Sequence, residues 1–206
     1  RLVRRGNKFW RVARATRLVF TTPGAQRTYR ARYPAMPADR FALIENGYDE
    51  EMFATLDDAG RAPLTPGKLT LLHSGIVYPD ERDPRSLMMA LQRLRAERSP
   101  AVERLRIRFR AAVHDKLLRT LADEAGVADL VEILPALPYR EALEEMMRAD
   151  ALLVLQAANC NEQIPAKVYE YLRAGRPILG LTDPAGDTAA TLRAAPNRLR
   201  VGFDAV

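Results

Sequence analysis

The sequence contains a single cysteine, Cys160, which cannot form an internal disulfide and therefore favours a reducing, cytoplasmic location. Its two histidines, His73 and His114, have no spacing to the cysteine or to paired acids that would indicate a metal site, so we expect no metal. No apolar run approaches the roughly 18 to 20 residues needed to cross a bilayer. Neither a G-x-G-x-x-G dinucleotide fingerprint nor a Walker-type phosphate loop occurs.

Acidic residues are scarce in one part of the chain. Residues 1–40 hold eleven Lys and Arg but one acid, Asp39, whereas the rest of the chain carries a small excess of acids. The net charge of +6 therefore belongs to one end. Such asymmetry is typical of a segment that contacts an anionic membrane or nucleic acid, or of a solvated helix face in an Arg-rich chain. No nucleic-acid motif accompanies the charge, so we expect no nucleic-acid partner.

Short apolar or β-branched runs bounded by turn residues predict strands, and segments with helical spacing separate most of them. We expect strands at residues 17–22, 41–45, 68–74, 105–111, 130–134, 151–156, 177–181 and 199–202. We expect helices at residues 85–98, 115–125, 139–148 and 165–174. This alternation predicts parallel βαβ units, and hence an α/β fold with a doubly wound parallel sheet.

The domain organisation follows from the same pattern. We expect residues 1–40, which include a basic helix at the start, to be the basic tail end of an N-terminal domain. Residues 41–67 are expected to be an interdomain link, and residues 68–206 to form the doubly wound domain. The chain begins without Met and stops directly after a predicted strand. We therefore expect a fragment, truncated at its carboxyl end as well.

Two glutamates, Glu162 and Glu170, follow an apolar run at residues 151–155 that predicts a buried strand. Pro165 and Gly175 are typical of a helix start and a helix stop, so Glu170 is expected about two turns into a short helix. Lys167 lies on the same helix face. In open α/β sheets, ligands bind at the carboxyl ends of the strands.

A helix N-terminus attracts phosphate oxygens, and a nearby carboxylate can accept hydrogen bonds from a cis-diol such as ribose. The pattern thus suits a nucleotide that carries another group on its phosphate. The spacing alone leaves a structural interpretation open. In that interpretation Glu162 is an acid of a capping loop, and Lys167 and Glu170 form an ordinary helix pair.

Four segments of the sequence carry a resemblance, and they occur in one order. They are the I-E-N-G-Y-D run at residues 44–49, residues 71–91 with their glycine loop, residues 139–155, and residues 162–179. Together they resemble retaining glycosyltransferases with the GT-B fold, of family 4 ("glycosyl transferases group 1"). The chain is similar to the C-terminal, Rossmann-like donor-binding domain of that family from about residue 20 to about residue 187.

The resemblance implies that this chain is the donor-binding half of an enzyme that transfers a sugar from a nucleotide sugar, with retention at the anomeric carbon. It implies ribose binding by Glu170 and a catalytic contact of Glu162 with the donor sugar. Backbone N–H groups around Gln163 and Ile164 would lie near the donor. Gly75 would let the backbone approach the phosphates closely.

The residue that neutralises the diphosphate is less clearly matched. The family's Arg-x4-Lys-Gly pattern after the glycine loop is not cleanly present, because the loop contains no lysine. Arg82 is the nearest match, and Arg85 could share its role. Lys167 is a further candidate for the phosphate contact.

The resemblance also implies the partners. They are a UDP-, GDP- or ADP-linked sugar as substrate and a glycan or lipid-linked sugar as acceptor, without a cofactor. The fragment alone is expected to bind nucleotide weakly and to be inactive in transfer. Residues 1–40 would contact an anionic membrane, peripherally on the inner face of the cell membrane. The alternatives are a non-catalytic α/β module whose basic arm binds anionic lipid or nucleic acid, and a sugar-nucleotide epimerase, for which no acid/base set is found.

Overall fold

The structure is a computed structural model that describes residue 12, residues 14–56 and residues 62–195. In these residues, strands and helices alternate along the chain. The predicted strand at residues 199–202 and the predicted basic helix at the start of the chain lie outside the described residues. The described helices include none that is long and apolar enough to cross a membrane.

A two-stranded parallel sheet comes first. It pairs β1 (Leu18–Phe20) with β2 (Phe41–Leu43), and helix α1 (Pro23–Arg32) connects the two strands. Thr22 caps this helix, because its Oγ1 accepts a hydrogen bond from the Ala25 N–H at 3.3 Å. Proline at the first helical position needs no hydrogen-bond partner there. The helix therefore begins directly after Thr22, the residue that caps it.

The larger sheet has five parallel strands. They are β3 (Leu69–Ser74), β4 (Leu105–Arg110), β5 (Val131–Leu134), β6 (Ala151–Gln156) and β7 (Ile178–Thr182). Their order is β5-β4-β3-β6-β7, so the direction of winding reverses between β3 and β6. This is the topological switch point, where open α/β sheets bind their ligands. The predicted doubly wound parallel sheet is confirmed.

Helices cover both faces of the larger sheet. They are α2 (Glu50–Ala54), α3 (Arg85–Ala96), α4 (Pro100–Arg104), α5 (Asp115–Glu124), α6 (Tyr139–Arg148), α7 (Lys167–Ala174) and α8 (Asp187–Ala194). Successive strand residues point to opposite faces, so the core forms two clusters. Leu72 and Leu152 pack with residues of α6 and α7 in one cluster. Leu71 and Leu153 pack with residues of α3 and α5 in the other.

Strand β4 shows this alternation in an unusual form. Ile107 and Phe109 point into the apolar cluster with α3 and α5, and both are buried. The residues between and beside them are arginines: Arg106, Arg108 and Arg110. Arg106 and Arg108 pair with Glu132 of β5, and Arg108 and Arg110 pair with Glu145 of α6. One face of β4 is thus apolar and the other is a row of paired charges.

Helix α7 differs from its expected start. It begins at Lys167, so Glu170 lies in its first turn rather than about two turns in. Pro165 precedes the helix, where its carbonyl accepts the Val168 N–H at 2.9 Å. The helix ends as expected, because Gly175 adopts the left-handed conformation with φ +69°. The shift brings Glu170 closer to the partial positive charge of the helix N-terminus.

Candidate functional site

The candidate site lies in the crevice at the carboxyl ends of β3 and β6. Gly75 directly follows β3 with φ +140°, a conformation that side chains rarely adopt. Its N–H donates to the Arg110 carbonyl at 2.9 Å, so it continues the pairing of β3 with β4. A Cβ on Gly75 would have no atom within 4 Å. The backbone at Gly75 is therefore open on the side where a Cβ would lie.

Two hydrogen bonds connect the loops on either side of the crevice. The Ala157 N–H, just after β6, donates to the Glu81 carbonyl at 2.9 Å. The Asn159 side-chain amide donates to the Asp80 carbonyl at 3.1 Å. The loop after β3 and the loop after β6 are thus held together at the switch point.

Arg82 belongs to the loop after β3 and directly follows Glu81. Its Nη1 donates to the Ile76 carbonyl at 2.9 Å, and its guanidinium carbon is 5.2 Å from the ring centroid of Tyr78. Burial is the main cause that lowers the pKa of His73 on β3 and raises the pKa of Cys160 beside β6, and the positive charge of Arg82 adds to the first shift and opposes the second. It likewise opposes the rise in the pKa of Tyr171 on α7. The charge of Arg82 therefore reaches groups on three elements around the crevice.

The second predicted arginine has a different environment. Arg85 is exposed at the start of α3, and its Nη1 forms an ion pair with Asp83 at 2.6 Å. Arg82, by contrast, forms no ion pair with a carboxylate of the described residues. Of the two arginines, Arg82 is thus the one without an ion pair among the described residues.

His73 lies at the end of β3, buried against the ring of Phe109. Its Nδ1 is 3.0 Å from the Leu153 carbonyl, which can only accept, so Nδ1 carries the proton. Burial is the main cause that lowers the pKa of His73 to about 4. Its Nε2 has no hydrogen-bond partner among the described residues. His73 is therefore neutral at pH 7 and supports the floor of the crevice as a core residue.

Glu170 carries two hydrogen bonds at the first turn of α7. Lys167 Nζ is 2.5 Å from its Oε2, and the Tyr139 hydroxyl donates to its Oε1 at 3.1 Å. The next residue, Tyr171, is fully buried, and its hydroxyl accepts the Ser74 N–H at 2.8 Å. Because Ser74 precedes Gly75, this bond fixes the start of α7 against the end of β3. The end of β3, with Gly75, and the first turn of α7, with Lys167 and Glu170, are thus brought together, while Arg82 is joined to the loop after β3 through Ile76.

The side chain of Glu162 is directed toward helix α1. Its backbone carbonyl accepts the Thr22 hydroxyl at 2.5 Å, and its Oε1 accepts the hydroxyl of Thr28 on α1. The next two residues have structural contacts: the Gln163 N–H donates to the Cys160 carbonyl at 2.9 Å, and the Ile164 side chain is buried in the core. Glu162 is therefore exposed at the face that meets α1, whereas the Gln163 N–H already has a partner.

Asp187 was not predicted as a site residue. It links the start of α8, which follows the larger sheet, to α1, which connects the two strands of the smaller sheet. Its Oδ2 accepts the Gly24 N–H at 2.6 Å, and its Oδ1 pairs with Arg27 at 3.2 Å. The carboxylate thus caps the N-terminus of α1 from the start of α8, 163 residues away. Tyr139 was also missed as a site residue. Its contact with Glu170 depends on the strand order, which a local sequence pattern does not contain.

A groove of about 670 Å³ opens beside the crevice, at the ends of β6 and β7. Asp80, Asp83, Asp183 and Arg85 supply its charged lining. Of the predicted site residues, only Arg85 contributes to it, and neither glutamate does. Among the described residues, no group of His, Cys, Asp and Glu has a geometry suited to a metal ion. Of the described residues, the predicted Arg82 and Glu170 therefore lie outside the lining of this groove.

Comparison with known proteins identifies the architecture. No protein-family model and no curated protein sequence matches the chain. Among solved structures, WaaG, a glycosyltransferase involved in lipopolysaccharide biosynthesis, is similar with a TM-score of 0.68 at 18% identity, over 92% of this chain and 50% of that chain. The chain has the fold of half a GT-B protein.

Two further structures agree with the GT-B half-domain. A glycosyltransferase from Rickettsia africae ESF-5 has a TM-score of 0.67 at 12% identity, over 92% of this chain and 49% of that chain. The pneumococcal O-GlcNAc transferase GtfA, in complex with UDP and GlcNAc, has a TM-score of 0.57 at 10% identity, over 81% of this chain and 30% of that chain. The chain spans about half the length of the first two structures. Because the identities are this low, the similarity shows the fold of a GT-B half-domain and nothing more.

Proposed function

We propose that this chain is the donor-binding half of a retaining glycosyltransferase of the group 1 type, which transfers a sugar from a nucleotide sugar to an acceptor. One observation carries the proposal. A carboxylate, Glu170, and a cation without a carboxylate partner among the described residues, Arg82, lie at the switch point of a GT-B half-domain. A ribose diol and a diphosphate need these two kinds of group side by side.

Glu170 is the residue for the ribose. Its side chain is 13% exposed, so it is held in place yet reachable from the crevice. A carboxylate accepts hydrogen bonds and cannot donate them, which suits the two hydroxyls of a cis-diol. The adjacent Tyr171–Ser74 bond fixes the distance from this carboxylate to the end of β3.

Arg82 is the residue for the diphosphate. Lys167 is bonded to Glu170 and Arg85 to Asp83, so each of these cations already has a carboxylate partner. Arg82 is bonded to the carbonyl of Ile76 and forms no ion pair with a carboxylate among the described residues. Gly75, with open space on its Cβ side, allows the phosphates to approach the backbone. Positive charge placed here stabilises the diphosphate as it leaves.

Glu162 is the residue for the donor sugar. It is exposed where the loop after β6 meets α1, and its Oε1 contacts the Thr28 hydroxyl. A sugar attached to the diphosphate would extend from the crevice toward this face. The acceptor would then attack from the face that the diphosphate leaves, which gives retention without a metal or other cofactor.

The structural comparisons support a nucleotide sugar as substrate. The similar structures are described as glycosyltransferases, and one of them holds UDP and GlcNAc. We propose a UDP-, GDP- or ADP-linked sugar for this chain, with UDP as the first to test. The acceptor, whether glycan or lipid-linked sugar, would meet the Glu162 face.

Calorimetry with UDP, GDP and ADP tests the proposal. We expect one of them to bind, and Glu170→Gln to weaken that binding roughly 10- to 150-fold, since hydrogen bonds to a charged group contribute about 1.5 to 3 kcal/mol. Glu141→Gln, on α6 and outside the proposed contacts, is the matched control. Unchanged affinity in Glu170→Gln would exclude the ribose role. Binding that instead collapses with added salt in wild type and variant alike would favour a basic arm.

A further inference from the structure

Tyr139 completes a set of three side chains around the predicted ribose site. It lies at the start of α6, after β5, and is 43% exposed. Its hydroxyl is 3.1 Å from Glu170 Oε1, while Lys167 Nζ is 2.5 Å from Glu170 Oε2. The same Nζ lies 5.5 Å from the centroid of the Tyr139 ring. Each of the three side chains therefore contacts the other two, although they come from two helices.

In this arrangement each oxygen of the Glu170 carboxylate accepts a hydrogen bond from a different donor. An ionised carboxylate has about four acceptor sites, two on each oxygen. Tyr139 occupies a site on Oε1 and Lys167 a site on Oε2, so each oxygen keeps a free site. Two free acceptor sites on one carboxylate suit the two hydroxyls of a cis-diol. In addition, the Tyr139 oxygen donates to Glu170 and keeps a lone pair with which it can accept from a hydroxyl.

Without the Tyr139 hydroxyl, Oε1 of Glu170 would have no donor of its own. Lys167 has three donors and is only three residues away on the same helix. Nothing else in the described structure donates to Glu170, so its carboxylate would be free to turn toward the lysine with both oxygens. The hydroxyl of Tyr139 is the group that opposes this rotation.

We propose that Tyr139 is a positioning residue of the nucleotide site, which holds the Glu170 carboxylate in the orientation that accepts both hydroxyls of a ribonucleoside diphosphate. The inference rests on the proposed function and adds a specificity to it. The site distinguishes a ribose from a 2′-deoxyribose through the pair of Tyr139 and Glu170, because a deoxyribose has no cis-diol. Glu170 alone, free to rotate, distinguishes the two sugars less well.

Tyr139→Phe tests this role, because it removes the hydroxyl and keeps the ring that contacts Lys167. Calorimetry would compare UDP with its 2′-deoxy analogue, and likewise for GDP and ADP. We expect Tyr139→Phe to lose roughly tenfold in affinity for the ribonucleotide and little for the deoxynucleotide. The urea midpoint should stay unchanged. Tyr29→Phe on α1 is the matched control and should preserve the ratio of the two affinities.

A second measurement needs no nucleotide. Partial burial and the negative charge of Glu170 raise the pKa of Tyr139. In an NMR titration of ring-labelled tyrosines, the Tyr139 signal, identified by its loss in Tyr139→Phe, should titrate above the ordinary tyrosine pKa. In Glu170→Gln its pKa should fall toward the ordinary value. No change in that variant would overturn the contact on which the proposal rests.

The outcomes separate the two proposals. Ribonucleotide binding with an unchanged ribo-to-deoxy ratio in Tyr139→Phe overturns the role of Tyr139 and leaves the proposed function standing. Absence of binding to all three nucleotides in the wild-type chain overturns the proposed function and this role with it, whatever the tyrosine titration shows. A ratio that shrinks in Tyr139→Phe, together with the shift in Glu170→Gln, supports both.

Discussion

The buried charge row between β4 and α6 gives a sharp stability prediction. Glu145 is 5% exposed and accepts three hydrogen bonds. Arg110 Nε and Nη2 donate at 2.8 and 2.7 Å, and Arg108 Nη1 donates at 3.1 Å. Glu145→Gln keeps the shape of the side chain but removes the charge that compensates two guanidinium groups. We expect the folded state to be strongly destabilised.

The magnitude follows from burial. Removing one partner of a buried ion pair costs about 3 to 5 kcal/mol, because the remaining charge stays without compensation away from water. Glu132 is partly exposed and pairs with Arg106 and Arg108, so Glu132→Gln should cost about 1 kcal/mol. Glu97 pairs with Arg93 at an exposed helix position, so Glu97→Gln should change stability little.

Urea unfolding followed by circular dichroism measures this series. With a slope of about 2 kcal/mol per molar urea, Glu145→Gln should lower the midpoint by roughly 2 M. The three variants should rank in the order of burial, with Glu145→Gln the least stable. If Glu145→Gln unfolds at the same midpoint as Glu97→Gln, the pair is solvated in the protein and the reasoning from burial is wrong.

Two further predictions concern the floor of the crevice and the joint between the sheets. Because the pKa of His73 is lowered from 6.5 to about 4, the unfolded chain binds its proton first, and stability should fall by up to about 3 kcal/mol as the pH drops from about 6.5 to 4. His73→Leu should make that fall shallower in urea unfolding at several pH values, and identical slopes would contradict the assignment. Gly24→Ala would place a Cβ 2.5 Å from Asp187 Oδ2 and disrupt the bond that caps α1, which should cost about 1 to 3 kcal/mol. Gly47→Ala, with no atom within 4 Å, is its control, and equal midpoints for these two variants would refute the clash.

Much of the fold could be predicted from local patterns. Apolar runs at β3 and β6 are buried on both faces, and their length between turn residues identifies them as strands. The start of α7 was less predictable, because Pro165 fits both a first helical turn and the residues just before one. The backbone bonds of Val168 and Tyr169 to the carbonyls of Pro165 and Ala166 decide for the later start.

The candidate site was predictable only in part. Glu170 could be placed near a ligand crevice because its helix follows a buried strand. Gly75 and Arg82 were named only from the resemblance to the glycosyltransferase family. The bond from Tyr139 to Glu170 spans 31 residues, and the bond from Gly24 to Asp187 spans 163. Contacts of this range depend on strand order and helix orientation, neither of which a local pattern contains.

The alternation of β4 also determines how the strand can pair. A slip of one residue against β3 would turn Arg106, Arg108 and Arg110 toward the apolar cluster and turn Ile107 and Phe109 toward the face that carries Glu132 and Glu145. Each guanidinium would then lose its glutamate and be desolvated, at a cost of several kcal/mol per charge. A chain of this sequence therefore has one register available between β3 and β4. Since Gly75 pairs with the carbonyl of Arg110, this register also sets where the crevice begins.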